Sequence, residues 1–169
     1  MSKYTEVIYP KDDNNNYPLK LSKYLYDRFI KEYHTEETPK ILDIGCSTGK
    51  ALKRFGQCGD LSLYGVDIRD EDMDGIDFRV CNIEKEHLPF PDNHFDFVYS
   101  KSVIEHVTNT DNFLKESLRV LKPGGWFICL TPDWKSQQKI FWDDYTHVKP
   151  FTRKGLRDAL KIHEYDHVE

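Results

Sequence analysis

ILDIGCSTGK, residues 41–50, is the stretch around which the rest of the chain is organised. Ile41, Leu42 and Ile44 form a short, dense apolar run, which predicts a strand buried on both faces. Gly45 and Gly49 bracket three small residues, Cys46, Ser47 and Thr48, and residues 50–55 resume with helix formers carrying Leu52 and Phe55. Strand, glycine turn and helix in immediate succession set main-chain N–H groups and a helix N-terminus over the strand's carboxyl end. Glycine suits that turn because, without a Cβ, it lets a ligand come close to the backbone. The arrangement asks for a nucleotide-like ligand. It is neither G-x-G-x-x-G nor a phosphate-binding P-loop, since Cys-Ser-Thr separates the two glycines and Ala51 follows Lys50.

A chain of 169 residues is about one domain's worth and buries a sizeable core. The formal charge is −5 with no long basic run, so nucleic acid is not an expected partner. No apolar stretch approaches the roughly 20 residues that cross a bilayer, and the N-terminus lacks the apolar core of a signal peptide. The four cysteines show no C-x-x-C spacing; with Cys46, Cys81 and Cys129 in or beside expected strands, they read as buried free thiols of a cytoplasmic protein. His163 and His167 stand four apart, but no third ligand joins them and no metal is expected.

Residues 1–18, with the run Asp12-Asp13-Asn14-Asn15-Asn16, read as a flexible segment, and residues 19–169 as a single domain. From Leu19 to Tyr33, Leu21, Leu25, Phe29 and Ile30 recur at helical spacing. LSLYGVDI, residues 61–68, predicts the second strand and delivers Asp67 at its carboxyl end. That is about 20 residues past the glycine turn, where doubly wound folds place an acid on the ribose hydroxyls. A carboxylate suits a vicinal diol because it accepts from both hydroxyls. Residues 76–83 and 95–100 predict two more strands, residues 112–121 an amphipathic helix ended by Lys122-Pro123-Gly124-Gly125, and residues 126–132 a fifth strand. Lys122 suits the helix dipole there.

The motif order resembles class I S-adenosylmethionine-dependent methyltransferases of the small-molecule type. Asp43, Gly45 and Gly49 match the acidic-x-Gly-x-Gly-x-Gly first motif, with Ser47 in place of the middle glycine. EKEHLPFPDNHFDFVYS and LKPGG match the linker, fourth strand and following turn of that family. The resemblance implies a doubly wound, Rossmann-like, mostly parallel sheet. It also implies cofactor contacts from Asp43, Gly45, Cys46, Gly49, Asp67, Ile68, Asn82, Ile83 and Ser100, with Asn82 at the adenine amine and the Ile83 N–H at a ring nitrogen. The family closes its sheet with a hairpin of two further strands. Here EYDHVE, residues 164–169, starts a possible sixth strand and the expected domain is incomplete at its C-terminus.

The acceptor end is less defined. Glu105 and His106 follow the fourth strand, and His106 is a general-base candidate because imidazole titrates near neutral pH. Residues 133–152 have no clear period and are crowded with aromatics and acids at the sheet edge where ligands bind. Trp134, Trp142, Asp143 and Tyr145 are candidates for the acceptor pocket, and His147 is a second candidate for proton transfer. Thr152 reads as the N-cap of a closing helix. The expected reaction is in-line methyl transfer from S-adenosylmethionine to a small molecule, leaving S-adenosylhomocysteine. Two rivals remain at this level: a non-catalytic cofactor-binding or scaffold domain, and a nicotinamide-dependent oxidoreductase.

Overall fold

A computed structural model describes residues 17–33 and 37–169, with the backbone alone for residues 17 and 18. The expected flexible segment lies outside these residues as far as residue 16; Tyr17 and Pro18 already belong to helix α1, Tyr17–Leu25. Proline is tolerated at such a start because a first-turn N–H has no helical partner. The helix then widens into a π turn over Tyr26–Ile30, where the Lys31 N–H donates to the Tyr26 carbonyl at 2.9 Å.

Five strands follow: β1 (Lys40–Ile44), β2 (Ser62–Asp67), β3 (Asp77–Val80), β4 (Phe95–Lys101) and β5 (Leu121–Leu130). They form one all-parallel sheet in the order β3-β2-β1-β4-β5. Connections run through α2 (Lys50–Gly56) and α3 (Thr110–Val120), with a short α4 (Trp134–Gln137) and a closing α5 (Arg153–Ile162). Parallel strands need covered faces, and β1 shows how the sequence provides them. Leu42 and Ile44 point into a core with Phe113, Leu114 and Val120 of α3, whereas Ile41 points oppositely, among Leu25, Leu52 and Phe55 of α1 and α2. Because the chain goes from β1 to β2 on one side and returns to β4 on the other, a crevice opens at the carboxyl ends of β1 and β4.

Two expectations need correction here. The KPGG turn does not separate helix from strand: β5 begins at Leu121, and Lys122 to Gly125 bulge out between the Phe95–Leu121 and Phe97–Trp126 pairs. Lys122 serves no helix dipole; its Nζ donates to buried Asp96 at 2.8 Å, whose other oxygen accepts from the Lys40 N–H at 2.9 Å. Residues 164–169 form no strand. Tyr165 instead packs at a tilt against Phe127, ring centroids 5.2 Å apart, and donates to the Leu114 carbonyl at 2.9 Å, which ties the tail across the β5 side of the sheet. Thr152 caps α5 as expected, its hydroxyl accepting from the Gly155 N–H.

Candidate active site

At the glycine turn the backbone itself is spoken for. The N–H groups of Gly45 and Cys46 both donate to the Val66 carbonyl, at 2.8 and 3.0 Å, and that of Gly49 donates to Cys46. The Ser47 N–H donates to Asp67 Oδ2 at 2.9 Å, so the turn after β1 is bolted directly to the end of β2. Gly45 (φ +78°) and Gly49 (φ +69°) sit in left-handed conformations. A Cβ on Gly45 would collide with Cγ2 of Val103, and one on Gly49 would meet Ile76 and Met73. These glycines therefore answer first to the chain's own packing, which narrows the reading that a ligand's approach alone requires them. Ser47, in the place of the family's middle glycine, is also left-handed at φ +53°.

Asp67 is buried, and its Oδ1 accepts from both the main-chain N–H and the Nε of Arg69, each at 3.1 Å. Arg69 also reaches Ser47 Oγ at 3.1 Å, while its Nη1 is buried without a partner. Sequence reasoning missed Arg69, since nothing in the order of residues shows that its side chain folds back over Asp67. Beside it Ile68 is 66% exposed, an apolar side chain held at the carboxyl edge where a base can lie on it. Asp43 lies behind the turn: burial, and then the nearby Asp67 charge, holds its carboxyl well above the usual range, with Lys101 opposing. Burial, with Asp43 and Asp67 nearby, likewise pushes the Cys46 thiol far up, so this cysteine is an inert packing group against Gly65.

Two other expected side-chain ligands, Asn82 and Ser100, make hydrogen bonds within the protein. The Asn82 side-chain oxygen accepts from the Glu84 N–H at 3.1 Å in a local turn, which is the ordinary use of an asparagine after a strand. Ile83 is a core side chain and its carbonyl accepts from Asn112 at 2.7 Å, neither of which involves the main-chain N–H that the resemblance sets at the adenine ring. The Ser100 hydroxyl donates to the Ile44 carbonyl at 3.0 Å, a pin between β4 and β1 rather than a free ligand group. Asp67 with Ile68 thus stands nearest to the geometry a nucleoside needs.

The acceptor end is far more ordered than its sequence suggests. A 3-10 turn, Ile104–His106, follows β4, and the Glu105 carbonyl accepts from the N–H groups of Val148 and Lys149 at 2.9 and 3.1 Å. An isolated bridge between Asp133 and Phe151 closes the base of the loop. Within it Trp134, Phe141 and Trp142 pack edge to face, and His147 lies on Phe141 with ring centroids 4.3 Å apart. His106 and His147 come together, with ring centroids at 4.7 Å. Asp143 and Tyr145 face solvent, Tyr145 being 82% exposed, and Trp142 is half-exposed. The buried acid of the loop is Asp144. A cleft of about 320 Å³ opens beside these residues between Leu21 of α1 and Lys101, Ser102, Leu130, Thr131 and Pro132.

An open parallel sheet with an acid at the end of β2 and a glycine turn at the switch point defines a doubly wound nucleotide-binding domain. Its family follows from comparison with known proteins. Residues 42–129 match the model of the methyltransferase domain, and the chain belongs to that family. S-adenosylmethionine is the cofactor of this class, and S-adenosylhomocysteine its product. The chain is 38% identical over 102 residues to a ubiquinone/menaquinone biosynthesis C-methyltransferase of Laribacter hongkongensis, covering 54% of this chain and 42% of that protein. It is 33% identical over 145 residues to the protein of the same name in Psychromonas ingrahamii, covering 75% and 57%. The chain spans about half the length of the curated relatives it matches. An S-adenosylmethionine-dependent methyltransferase from Archaeoglobus fulgidus superposes with a TM-score of 0.72 over 97% of this chain and 73% of its own, at 22% identity, which establishes the class I, Rossmann-like fold.

Proposed function

We infer that this chain transfers a methyl group from S-adenosylmethionine to a small-molecule acceptor held at the carboxyl ends of β4 and β5. The carrying observation is Asp67, a buried carboxylate locked to the glycine turn through Ser47 and flanked by exposed Ile68. A ribose diol fits that carboxylate once the Arg69 side chain, itself partly exposed, gives up its bond to Oδ1. Ile68 offers the apolar surface for the base. The cofactor supplies a methyl group already activated by its sulfonium, so the chain's own task is alignment and exclusion of water. The Trp134–Phe141–Trp142 cluster gives the acceptor end rigid apolar walls, and His106 and His147 are its proton-accepting groups. The names of the quinone-biosynthesis relatives support a small acceptor.

Calorimetric titration with S-adenosylhomocysteine tests the reading. The folded chain should bind it, and Asp67→Ala should weaken binding by about 1.5–3 kcal/mol, the scale of hydrogen bonds to a charged group. Absence of heat at millimolar ligand would sink the cofactor assignment.

A further inference from the structure

A second cluster of titratable side chains lies outside the nucleoside seat. Glu105, His106 and His147 each present one ligand-type atom, all within 4.8 Å of one another. We propose that these three residues form a binding site for a first-row divalent transition-metal cation, which when bound takes the lone pairs that otherwise make His106 and His147 proton acceptors.

The main chain builds the juxtaposition. Glu105 and His106 lie on the turn after β4, whereas His147 comes from the loop after β5; the two N–H bonds onto the Glu105 carbonyl hold that loop in register against the turn. In both imidazoles Nδ1 is hydrogen-bonded, which leaves Nε2 as the nitrogen for an ion, the usual division of labour in a metal-ligating histidine. The Phe141 carbonyl can only accept, so His147 donates to it from Nδ1 at 2.6 Å and keeps a lone pair on Nε2. The Thr146 hydroxyl donates to Asp144 at 2.7 Å and so accepts from His106 Nδ1 at 2.9 Å, which leaves His106 Nε2 with its lone pair as well.

The carboxylate supplies the independent observation. Glu105 is fully buried; its Oε2 accepts from Thr131 Oγ1 at 3.0 Å, and its Oε1 is buried with no hydrogen-bond partner. A buried carboxylate oxygen without a donor or cation is costly, and a cation satisfies it. Two imidazoles and one carboxylate, with positions to spare, select zinc, iron(II) or cobalt(II) over calcium, which prefers an all-oxygen set. Bonds of about 2.0–2.2 Å would draw the ligand atoms together by roughly 1 Å, within reach of small side-chain rotations. Thr131, the partner of Glu105 Oε2, also lines the 320 Å³ cleft. The competing account, an ion pair between His147 Nε2 and Asp144 Oδ2 at 3.8 Å, leaves Glu105 Oε1 unexplained.

The test uses cobalt(II) as the probe. Chelator-treated protein is titrated with cobalt chloride, following visible absorption and the metal retained on equilibrium dialysis. One equivalent should bind without a thiolate charge-transfer band. His106→Gln and His147→Gln should each lower the affinity at least tenfold, while His163→Gln, whose ring pairs with Asp111 elsewhere, leaves it unchanged. Glu105→Gln should lose binding too; because that residue is buried, its melting curve is recorded first, and if it does not fold the two histidine changes decide. No bound equivalent, a thiolate band, or affinity that survives both histidine changes overturns the proposal. S-adenosylhomocysteine affinity, held by Asp67 and its neighbours, stays constant across these variants, so the metal result stands apart from the cofactor reading.

Discussion

Arg69 occupies the carboxylate that a nucleoside would claim. Its Nε bond to Asp67 Oδ1 joins a side chain 26% exposed to a carboxylate 9% exposed, a partly buried contact that a diol must displace. Arg69→Ala should therefore raise S-adenosylhomocysteine affinity about two- to fivefold, or roughly 0.5–1 kcal/mol, by removing a competitor. A tenfold loss in the same titration would mean that Arg69 holds the cofactor itself. Gly45 makes a second residue-scale case. Its positive φ and the adjacent Val103 predict that Gly45→Val costs at least about 2 kcal/mol of stability measured without any ligand. A melting temperature close to that of the parent, with cofactor binding abolished, would return this glycine to a purely ligand-facing role.

Between elements, the strongest electrostatic join is the one that fastens α3 to the segment entering β4. Glu116 of α3 is buried and accepts from the Leu88 N–H at 2.7 Å, from His87 at 2.9 Å and from Arg119, while Arg119 also donates to the carbonyls of Leu88 and Phe90. Burial alone would raise this carboxyl; the bonds from Arg119, His87 and Leu88 outweigh it and bring it from 4.5 down to about 2. A native value below the unfolded one stabilises the fold above the unfolded value, and that contribution is lost as pH falls from about 4.5 towards 2. Glu116→Gln should lower unfolding free energy in urea by on the order of 2–3 kcal/mol at pH 7, and by much less near pH 2. A pH-independent deficit would assign the loss to packing instead. The 133–152 loop is joined by quite different means, main-chain bonds onto Glu105, which is why its aromatic sequence does not announce its order.

Across the whole molecule, the proposed nucleoside seat links cofactor binding to folding, because the Ser47–Asp67 join forms only when the ends of β1 and β2 are side by side. Ligand at 100 times its dissociation constant should add about 2.7 kcal/mol to stability. In a domain of this size that raises the melting temperature by roughly 5–10 °C. Differential scanning fluorimetry with S-adenosylhomocysteine reads this directly, and Asp67→Ala at the same ligand concentration should lose about half to nine-tenths of the shift. A shift of equal size in that variant would relocate the seat away from β2. No helix among the described residues is long and apolar enough to cross a membrane.

The order of apolar runs, the glycine turn and the acid after the second strand were legible in the sequence, because burial on both faces and positive φ leave compositional marks at fixed spacing. Thr152 as a cap was legible for the same local reason. Long-range side-chain partners leave no such mark. That Ser100 is tied to Ile44 and that Lys122 pairs with Asp96 were settled only when strands distant in the chain came side by side; Asn82 closing its own turn and Arg69 folding back over Asp67 are local contacts, set by side-chain conformation that residue order does not record. The same holds for Glu105, His106 and His147: two are adjacent in sequence, the third lies some forty residues on, and only the main-chain bonds from Val148 and Lys149 to the Glu105 carbonyl bring the three into one cluster.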